Sequence, residues 1–417
     1  MRMLVCLGIW LASTPAHAAG EWPQFLGPTG DSHSAATGLP LTWSETENVV
    51  WKTPLPGRGW SSPVIWGNQI WMTTATEDGK QQFALCVDRE TGKILVDKLL
   101  FENEKPSEIH ALNSYASPSA VIEEGRVYIT FGSYGTACLD TKTADVLWTR
   151  RDLPCEHFRG PGSSPILYGN LLILHYDGFD FQYIIAMDKR TGDTVWKKDR
   201  DIDYGTDNGD FKKAFCTPQI FDVNGRLELI SPTSKATLSL DPLTGEEFWR
   251  IRYSQFSATA KPIFDPSRQM FYINTGFGKA DLYAVKAGGE GDVTDTHVAW
   301  KSSKSIPSKP TQLLVGDAIY MIHDAGTATC LDAATGDVVW QERVGGNFSA
   351  TPLYAEGRIY LLSQEGLTTV IAADREYKVL AENTLDDGFM ASPAVAGKSL
   401  FLRTRSALYR IERAAGK

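Results

Sequence analysis

A short step ending in proline recurs eight times along this chain, and its spacing constrains the fold more than any other feature. The step is Ser-Pro, Thr-Pro or Lys-Pro, as in WSSPVIW, GSSPILY and SATPLYA, and consecutive copies are 41 to 55 residues apart. The eight prolines are Pro63, Pro118, Pro165, Pro218, Pro262, Pro310, Pro352 and Pro393. A period of this length is typical of one four-stranded blade in a ring of repeated sheets.

A second motif follows most of these prolines and ends in tryptophan. It reads LDTKTADVLW, MDKRTGDTVW, LDPLTGEEFW and LDAATGDVVW in four of the repeats. An Asp followed by Thr-Gly favours a tight hairpin turn, because Gly supplies the positive φ and Asp accepts hydrogen bonds from backbone amides. The motif therefore predicts the turn before the outer strand of each blade. The first copy has Val96 in place of the tryptophan, and the seventh lacks both turn and tryptophan.

The C-terminal repeat is one strand short, and the N-terminal part of the chain supplies the missing strand. After Pro393 only three strand-like runs remain, whereas NVVWKTPL at 48–55 resembles an outer strand, with Trp51 at the tryptophan position. The sequence therefore predicts an all-β, eight-bladed β-propeller over 48–412, closed by an N-terminal strand pairing with the C-terminal blade. We expect an N-terminal extension at 19–47 and a short tail at 413–417.

The first residues are typical of an export signal. Arg2 precedes an apolar run, and Ala16-His17-Ala18 matches a cleavage site, so residues 1–18 predict a signal peptide and a periplasmic or secreted protein. No later apolar run is long enough to span a bilayer. The formal charge of −9 argues against nucleic acid as a partner.

The paired proline and Asp-x-x-Thr-Gly-x-x-x-Trp signals resemble the PQQ (pyrroloquinoline-quinone) repeat, or tryptophan-docking motif, over about 48–412. That family includes quinoprotein alcohol dehydrogenases and the propeller lipoprotein of outer-membrane-protein assembly. The opening EWPQFLGPTGDS is also similar to the start of exported PQQ-repeat proteins. The resemblance implies a structural girdle of tryptophans that locks neighbouring blades, formed by Trp51, Trp148, Trp196, Trp249, Trp300 and Trp340.

The resemblance carries over less well to quinoprotein chemistry. The dehydrogenases of the family use a metal site of carboxylate and amide oxygens, a catalytic Asp, a Trp platform and, in the alcohol dehydrogenases, two adjacent cysteines. No Cys-Cys pair occurs in this sequence. We therefore expect no cofactor, PQQ included, and no catalytic or metal-binding residues. The alternative, a PQQ-dependent oxidoreductase or another cryptic enzyme such as a hydrolase, stays open.

The cysteines and histidines favour structural roles. Cys86, Cys138 and Cys330 share a repeat position that takes Ala or Ser in other blades, which predicts small buried strand residues. Cys155 and Cys216 lie before blade-opening strands and could form a disulfide in an oxidising compartment. The residues His157, His175 and His323 match no compact ligand motif, and their Asp neighbours favour turn chemistry.

The loops before the inner strands are basic and aromatic, although the chain is acidic. In a propeller these loops gather at one mouth of the central channel. The predicted binding mouth contains Arg58, Trp60, Tyr115, His157, Arg159, Lys213, Phe215 and Lys309. This composition favours a non-catalytic binding or scaffolding propeller that engages an envelope protein or an anionic or polar ligand at its loop face. The alternative is that these side chains only fill and cap the loops.

Overall fold

The computed structural model describes residues 20–414, which form a ring of eight antiparallel sheets around a central channel. Each sheet is a meander whose first strand lies innermost, because the residues that precede it line the channel. The sheets are named blades 1 to 8 in chain order. In this part of the chain, no helix is long and apolar enough to cross a membrane. The predicted signal peptide at 1–18 lies outside the described residues.

Alternating apolar residues and Gly-containing turns produce short strands throughout. Blades 1 to 3 consist of Val64–Trp66, Gln69–Ala75, Gln81–Asp88, Ile94–Glu102; Val121–Glu123, Arg126–Thr130, Thr136–Asp140, Val146–Arg150; and Ile166–Tyr168, Leu171–Asp177, Gln182–Asp188, Thr194–Asp199. Blades 4 to 6 consist of Gln219–Val223, Arg226–Pro232, Ala236–Leu240, Glu247–Arg252; Ile263–Asp265, Met270–Asn274, Leu282–Lys286, Val298–Ser302; and Leu313–Val315, Ala318–Ile322, Thr327–Asp332, Val338–Arg343. Blades 7 and 8 consist of Leu353–Ala355, Arg358–Leu362, Leu367–Ala372, Val379–Thr384; and Ala394–Ala396, Ser399–Arg403, Ala407–Glu412, Val49–Pro54.

Four short elements lie outside this pattern. The strand Gly291–Asp292 runs parallel to the outer strand of blade 4 and covers part of its edge. It is followed by a single α-helical turn, Thr294–His297, whereas a 3₁₀ turn at Gly209–Phe211 lies in the loop before blade 4. The strand His33–Ser34 pairs with the inner strand of blade 7.

The ring closes as the sequence predicts. The strand Val49–Pro54 pairs antiparallel with Ala407–Glu412, in a register that places Lys52 opposite Tyr409. Trp51 is half-buried between blades 8 and 1, where its ring packs 6.0 Å from that of Phe401. The outer strand of the last blade therefore comes from the beginning of the chain, which confirms the closed eight-bladed ring.

The tryptophans of the outer strands dock onto the next blade. The indole Nε1 of Trp148 donates to Lys189 O at 3.0 Å, and that of Trp196 donates to Pro242 O at 3.1 Å. Trp51 and Trp340 make the same type of bond, to Arg89 O and Asp374 O, both at 3.1 Å. Each indole reaches the carbonyl in the corresponding turn of the following blade, so the bond ties consecutive sheets together.

Two tryptophans depart from this geometry. Trp249 is fully buried but donates to Glu228 Oε2 within its own blade, at 2.8 Å. The corresponding segment of blade 5 is AGGEGDVTDTH instead of the Asp-x-x-Thr-Gly turn that accepts the indole bond in blades 1, 3 and 4. Trp300 packs against Gly336 of the next turn, although its Nε1 has no hydrogen-bond partner among the described residues.

The N-terminal extension enters the channel, which the sequence did not predict. We call residues 20–34 the plug segment. Trp22 bridges to Ile65 of blade 1, Thr29 O accepts from Gln219 Nε2 of blade 4 at 3.1 Å, and His33 Nε2 lies 2.9 Å from Leu314 O of blade 6. These partners lie in the inner strands, beyond the mouth loops, so the plug segment occupies the channel on the side away from the predicted mouth.

Candidate functional site

The channel opens into a cavity of about 830 Å³ on the side of the loops that precede the inner strands. Ligand sites in proteins commonly have volumes of about 300 to 1,000 Å³. The plug segment contributes Phe25 to the lining, so it bounds the cavity at the end opposite the mouth. Five of the predicted mouth residues line this cavity: Trp60, Arg159, Lys213, Phe215 and Lys309.

Aromatic side chains that the sequence analysis did not single out form one side of the cavity. The ring of Phe256 lies 4.7 Å from that of Phe211 and 5.5 Å from that of Phe277. Phe211 is 36% exposed and Phe277 is 59% exposed, so the trio presents an apolar edge to solvent at the rim. Leu112 extends this exposed apolar rim at a separate loop.

The cations nearest the rim are paired with carboxylates. Arg159 binds Asp210 through two parallel bonds, Nε to Oδ1 at 3.2 Å and Nη2 to Oδ2 at 3.0 Å. This pairing raises the pKa of Arg159. Lys309 Nζ lies 3.3 Å from Asp324 Oδ1. Both pairs line the cavity, where they can exchange a protein carboxylate for one carried by a ligand.

Lys213, one of the predicted mouth residues, borders the cavity but is buried. It is 1% exposed, and its ammonium lies 4.6 Å from the Phe215 ring centroid and 3.4 Å from His157 Nδ1. Burial lowers the pKa of Lys213 to about 8, and burial together with Lys213 holds the pKa of His157 well below its ordinary value. A neutral His157 therefore accepts at Nδ1. A loop position alone cannot reveal this burial, because the neighbouring loops fold over the lysine.

Three of the predicted residues do not line the cavity. Arg58 stacks over Trp60 at 5.0 Å and donates to Ala111 O at 2.9 Å, so it supports a lining loop. Tyr115 is buried, and its hydroxyl donates to Ser107 O at 2.9 Å. His157 lies behind the wall, beside Lys213. For these three the structure favours the alternative in which the side chains support and fill the loops.

A ring of hydroxyl groups surrounds the channel at the bottom of the cavity. Each member lies two residues before an inner strand, and its oxygen accepts a hydrogen bond from the backbone N–H at the equivalent position of the preceding blade, at 2.8 to 3.1 Å. Every member lines the cavity and is at least nine-tenths buried. The hydroxyl ring consists of Ser62, Ser119, Ser164, Thr217, Thr311, Thr351 and Ser392.

The eighth position of the ring is Lys261. Its backbone N–H donates to Thr311 Oγ1 at 3.0 Å, in line with the other members, but it contributes no hydroxyl. The side chain is fully buried, and among residues 20–414 its Nζ has no hydrogen-bond partner. A Cβ placed on Gly30 would lie 2.7 Å from this nitrogen, so the ammonium points towards the plug segment.

Other predicted candidates form packing and polar networks in blades 3 and 4. His175 lies in a strand and not in a turn as expected: its Nδ1 is 3.0 Å from Cys216 O and its Nε2 is 2.9 Å from Ser231 Oγ. The neighbouring Asp177 binds Arg200 at 2.6 and 2.8 Å in a fully buried pair. The two contacts of His175 tie blade 3 to blade 4.

The cysteines are buried thiols. Cys86, Cys138 and Cys330 are fully buried, as their repeat position predicts. Cys155 and Cys216 are not bonded to each other, and burial raises the pKa of both thiols. His323 Nδ1 accepts from Ala325 N at 3.1 Å, which is the turn chemistry expected of it.

The cavity residues do not fit a metal-bound quinone. Its two aspartates, Asp210 and Asp324, are each neutralised by an adjacent cation. No group of three or more His, Cys, Asp or Glu residues within the described part of the chain could hold a metal ion.

These features define a β-propeller of the PQQ-repeat type. Tryptophans dock between its blades, and its own N-terminal segment closes one end of the channel. The family model described as "Outer membrane protein assembly factor BamB" matches residues 41–198 and 208–417, and the chain belongs to this family. No curated protein sequence matches the chain.

Solved structures confirm the fold. BamB from Moraxella catarrhalis superposes with a TM-score of 0.61 at 13% identity, covering 87% of this chain and 99% of that one. Quinohemoprotein alcohol dehydrogenase from Comamonas testosteroni gives 0.68 at 11% identity, over 95% and 81% of the two chains. A europium-containing methanol dehydrogenase gives 0.65 at 12%, over 93% and 89%. At these identities the likeness shows the fold alone.

Proposed function

We propose that this protein is an exported, non-catalytic binding propeller that takes an acidic, aromatic-containing segment of a partner protein into its central cavity. The observation that carries the proposal is the composition of the cavity: an exposed phenylalanine rim above walls that hold Arg159, Lys213 and Lys309. Apolar anchors combined with a few cations are typical of sites that bind anionic chains.

The charge distribution supports an anionic ligand. The lining contains three Arg or Lys residues and two Asp residues, so its formal charge is 3 − 2 = +1. The whole chain has a formal charge of −9. A locally positive cavity in a negative molecule concentrates field lines at the mouth and favours an acidic segment over a basic one.

The location and the kind of partner are part of the same proposal. The export signal predicted at 1–18 supports a periplasmic or secreted protein. The description of the matching family names an outer membrane assembly factor, which supports a protein partner in the cell envelope. The net negative charge argues against nucleic acid.

Binding of a synthetic peptide tests the cavity. A peptide of alternating Glu and Phe should bind the mature protein, as measured by calorimetry, whereas its Lys and Phe counterpart should not. Phe277→Ser should weaken binding about tenfold or more, because it removes an apolar anchor at the rim. The matched control is Phe181→Ser, which changes a phenylalanine of 48% exposure that lies outside the cavity.

Two variants that each remove one lysine charge test the electrostatic part of the proposal. Lys309→Gln should reduce the affinity and its salt dependence, whereas Lys304→Gln, in the same loop but outside the lining, should leave both unchanged. Equal binding of the acidic and basic peptides would contradict the proposal. Incubation with PQQ and calcium tests the enzyme alternative: a quinone absorbance band that co-purifies, together with dye reduction by alcohols or sugars, would favour it.

A further inference from the structure

One turn of the chain presents both an acidic and an aromatic side chain to the cavity. It is the 3₁₀ turn Gly209–Phe211 in the loop before blade 4, and both Asp210 and Phe211 line the cavity. Asp210 binds the guanidinium of Arg159 through two parallel bonds, and the Phe211 ring makes a T-shaped contact with that of Phe256 at 4.7 Å. The protein's own Asp-Phe pair therefore occupies a cation and an aromatic surface of the kind that bind acidic and aromatic groups.

The cation of this contact is held in place independently of Asp210. Arg159 has a φ of 80°, in the left-handed region, and its backbone is fixed on both sides: its N–H donates to Glu108 O at 3.3 Å, and its carbonyl accepts from Asn113 Nδ2 at 2.8 Å. Its guanidinium also lies 4.8 Å from the ring centroid of Phe158. Such a backbone conformation persists at a non-glycine residue where surrounding contacts fix it. We therefore expect the guanidinium to stay at the cavity wall when Asp210 leaves.

The aromatic surface is fixed without Phe211. Phe256 and Phe277 form an antiparallel β-bridge, in which Phe256 N–H donates to Phe277 O at 3.2 Å. Phe211 lies outside this bridge, and the backbone bonds of its turn are local: its own N–H donates to Asn208 O at 3.1 Å. The turn is therefore the part of the contact that can move, whereas Arg159 and the two bridged phenylalanines are the fixed part.

The two carboxylates of the cavity lining differ in how firmly they are held. The carboxylate of Asp324 accepts from the backbone N–H of Ser308 in addition to its ion pair with Lys309. Among residues 20–414, the carboxylate of Asp210 bonds only to Arg159. Partly exposed ion pairs contribute little to stability, so Asp210 is the carboxylate that a ligand displaces at the smaller cost.

We propose that Asp210 and Phe211 are an internal substitute for the ligand: a partner segment with a carboxylate residue followed by an aromatic one, such as Asp-Phe or Glu-Phe, displaces the turn from Arg159 and packs beside Phe256 and Phe277. This inference rests on the proposed function and adds to it the local sequence of the ligand and a competition that regulates binding. Arg159 exchanges one carboxylate for another, so the affinity for the segment scales with the fraction of molecules in which the turn has left.

Titration with the capped peptide acetyl-Gly-Asp-Phe-Gly-amide tests the exchange, with affinities measured by nuclear magnetic resonance of the peptide. Asp210→Asn should raise the affinity about threefold to tenfold, because it removes the carboxylate that competes for Arg159. The matched control is Asp207→Asn, which changes the net charge equally at an exposed residue of the same loop outside the cavity lining, and should bind like the parent. The gain should disappear when Asp210→Asn is combined with Arg159→Gln.

A second variant separates a substitute for the ligand from an anchor of the ligand. Phe211→Ser should raise the affinity about twofold to fivefold because it uncovers Phe256, whereas Phe277→Ser should lower it. Circular dichroism verifies that each variant is folded. The internal substitute is overturned if neither Asp210→Asn nor Phe211→Ser binds the peptide more tightly than the parent, or if the gain from Asp210→Asn persists without Arg159.

The outcomes also separate this inference from the proposed function. If the longer peptide of alternating Glu and Phe binds in a manner that depends on Phe277, but neither substitution in the turn raises the affinity, the cavity function stands and the internal substitute is wrong. If the short peptide binds Asp210→Asn more tightly in a manner that depends on Arg159, but the longer peptide does not bind, the exchange at Arg159 stands and the proposed function is wrong.

Discussion

The outer girdle of the propeller and its central channel are built from the same repeats, yet they use repetition differently. At the girdle, Trp51, Trp148, Trp196 and Trp340 make the same bond to the next blade. At the channel, the repeated hydroxyl is interrupted by Lys261, and every mouth loop has its own composition. In this molecule, residues that repeat hold the blades together, whereas departures from the repeat place charged and apolar side chains around the channel.

The largest single effect is expected at the girdle. Trp249→Ala should lower the free energy of unfolding by about 3 to 5 kcal/mol, because the side chain is fully buried and no neighbour can fill its volume. Trp340→Ala, at a half-buried tryptophan, should cost less than half as much. Chemical denaturation of both variants measures the difference, and equal losses would show that burial does not govern the strength of the girdle.

The docking turns should show a smaller effect that separates contact from backbone strain. Gly245 has a φ of 75°, and a Cβ there would lie 2.7 Å from the Trp196 ring. Gly225 has a φ of 86° but no atom within 4 Å of such a Cβ. Gly225→Ala should therefore cost about 1 to 2 kcal/mol through strain alone, and Gly245→Ala should cost about 1 to 3 kcal/mol more. If thermal unfolding shows similar losses of stability for the two variants, the turn at Gly245 moves enough to accommodate the added methyl group beside Trp196.

The buried lysines beside the channel should make the free energy of unfolding vary with pH in the alkaline range. Burial lowers the pKa of Lys261 to about 8 from 10.5, and the charged or ionisable groups that act on it are Cys216 and Asp31. Between pH 8 and 10.5 the unfolded chain binds more protons at this lysine, so the free energy of unfolding should rise with pH, by up to about 3 kcal/mol. Lys213 contributes in the same direction. Lys261→Met should make the profile less steep but not flat, because Lys213 remains, and a profile identical to the parent would exclude Lys261 as a source.

The smallest effect on stability is expected at the rim. Lys309 and Asp324 form a partly exposed pair, with 28% and 21% of their side chains accessible. Exposed ion pairs contribute little, so Lys309→Gln should change the free energy of unfolding by less than about 1 kcal/mol. A large loss on denaturation would place Lys309 among the residues that maintain the fold.

The ring of blades was predictable from the sequence because each signal has a local physical cause. The turn motif needs a Gly at positive φ, and the strands alternate apolar and polar residues over short runs. Both patterns can therefore be recognised without knowledge of tertiary contacts. The plug segment was not predictable, because residues 20–34 contain no repeat, and their strand pairing depends on partners elsewhere in the ring.

The prolines that reveal the repeat do not reveal the hydroxyl ring, because their position relative to the ring residue varies between blades. Aligned on proline, blades 2 and 6 place Ser117 and Lys309 at the ring position. In the structure the ring residues are Ser119 and Thr311, which follow the prolines in these two blades. The inner strands set the register, and proline occurs on either side of the ring residue, so the sequence alone could not align the hydroxyls.

Closure of the ring by the strand Val49–Pro54 has a consequence for how the protein is made. Glu45 Oε1 accepts from the Tyr409 hydroxyl across 364 residues of chain, and this contact and its neighbours cannot form before the last blade has been synthesised. Until then an unpaired strand at the beginning of the chain and an incomplete sheet at its end are both exposed. Two nascent or refolding molecules can exchange these complementary edges, so the yield of monomer on refolding should fall as protein concentration rises.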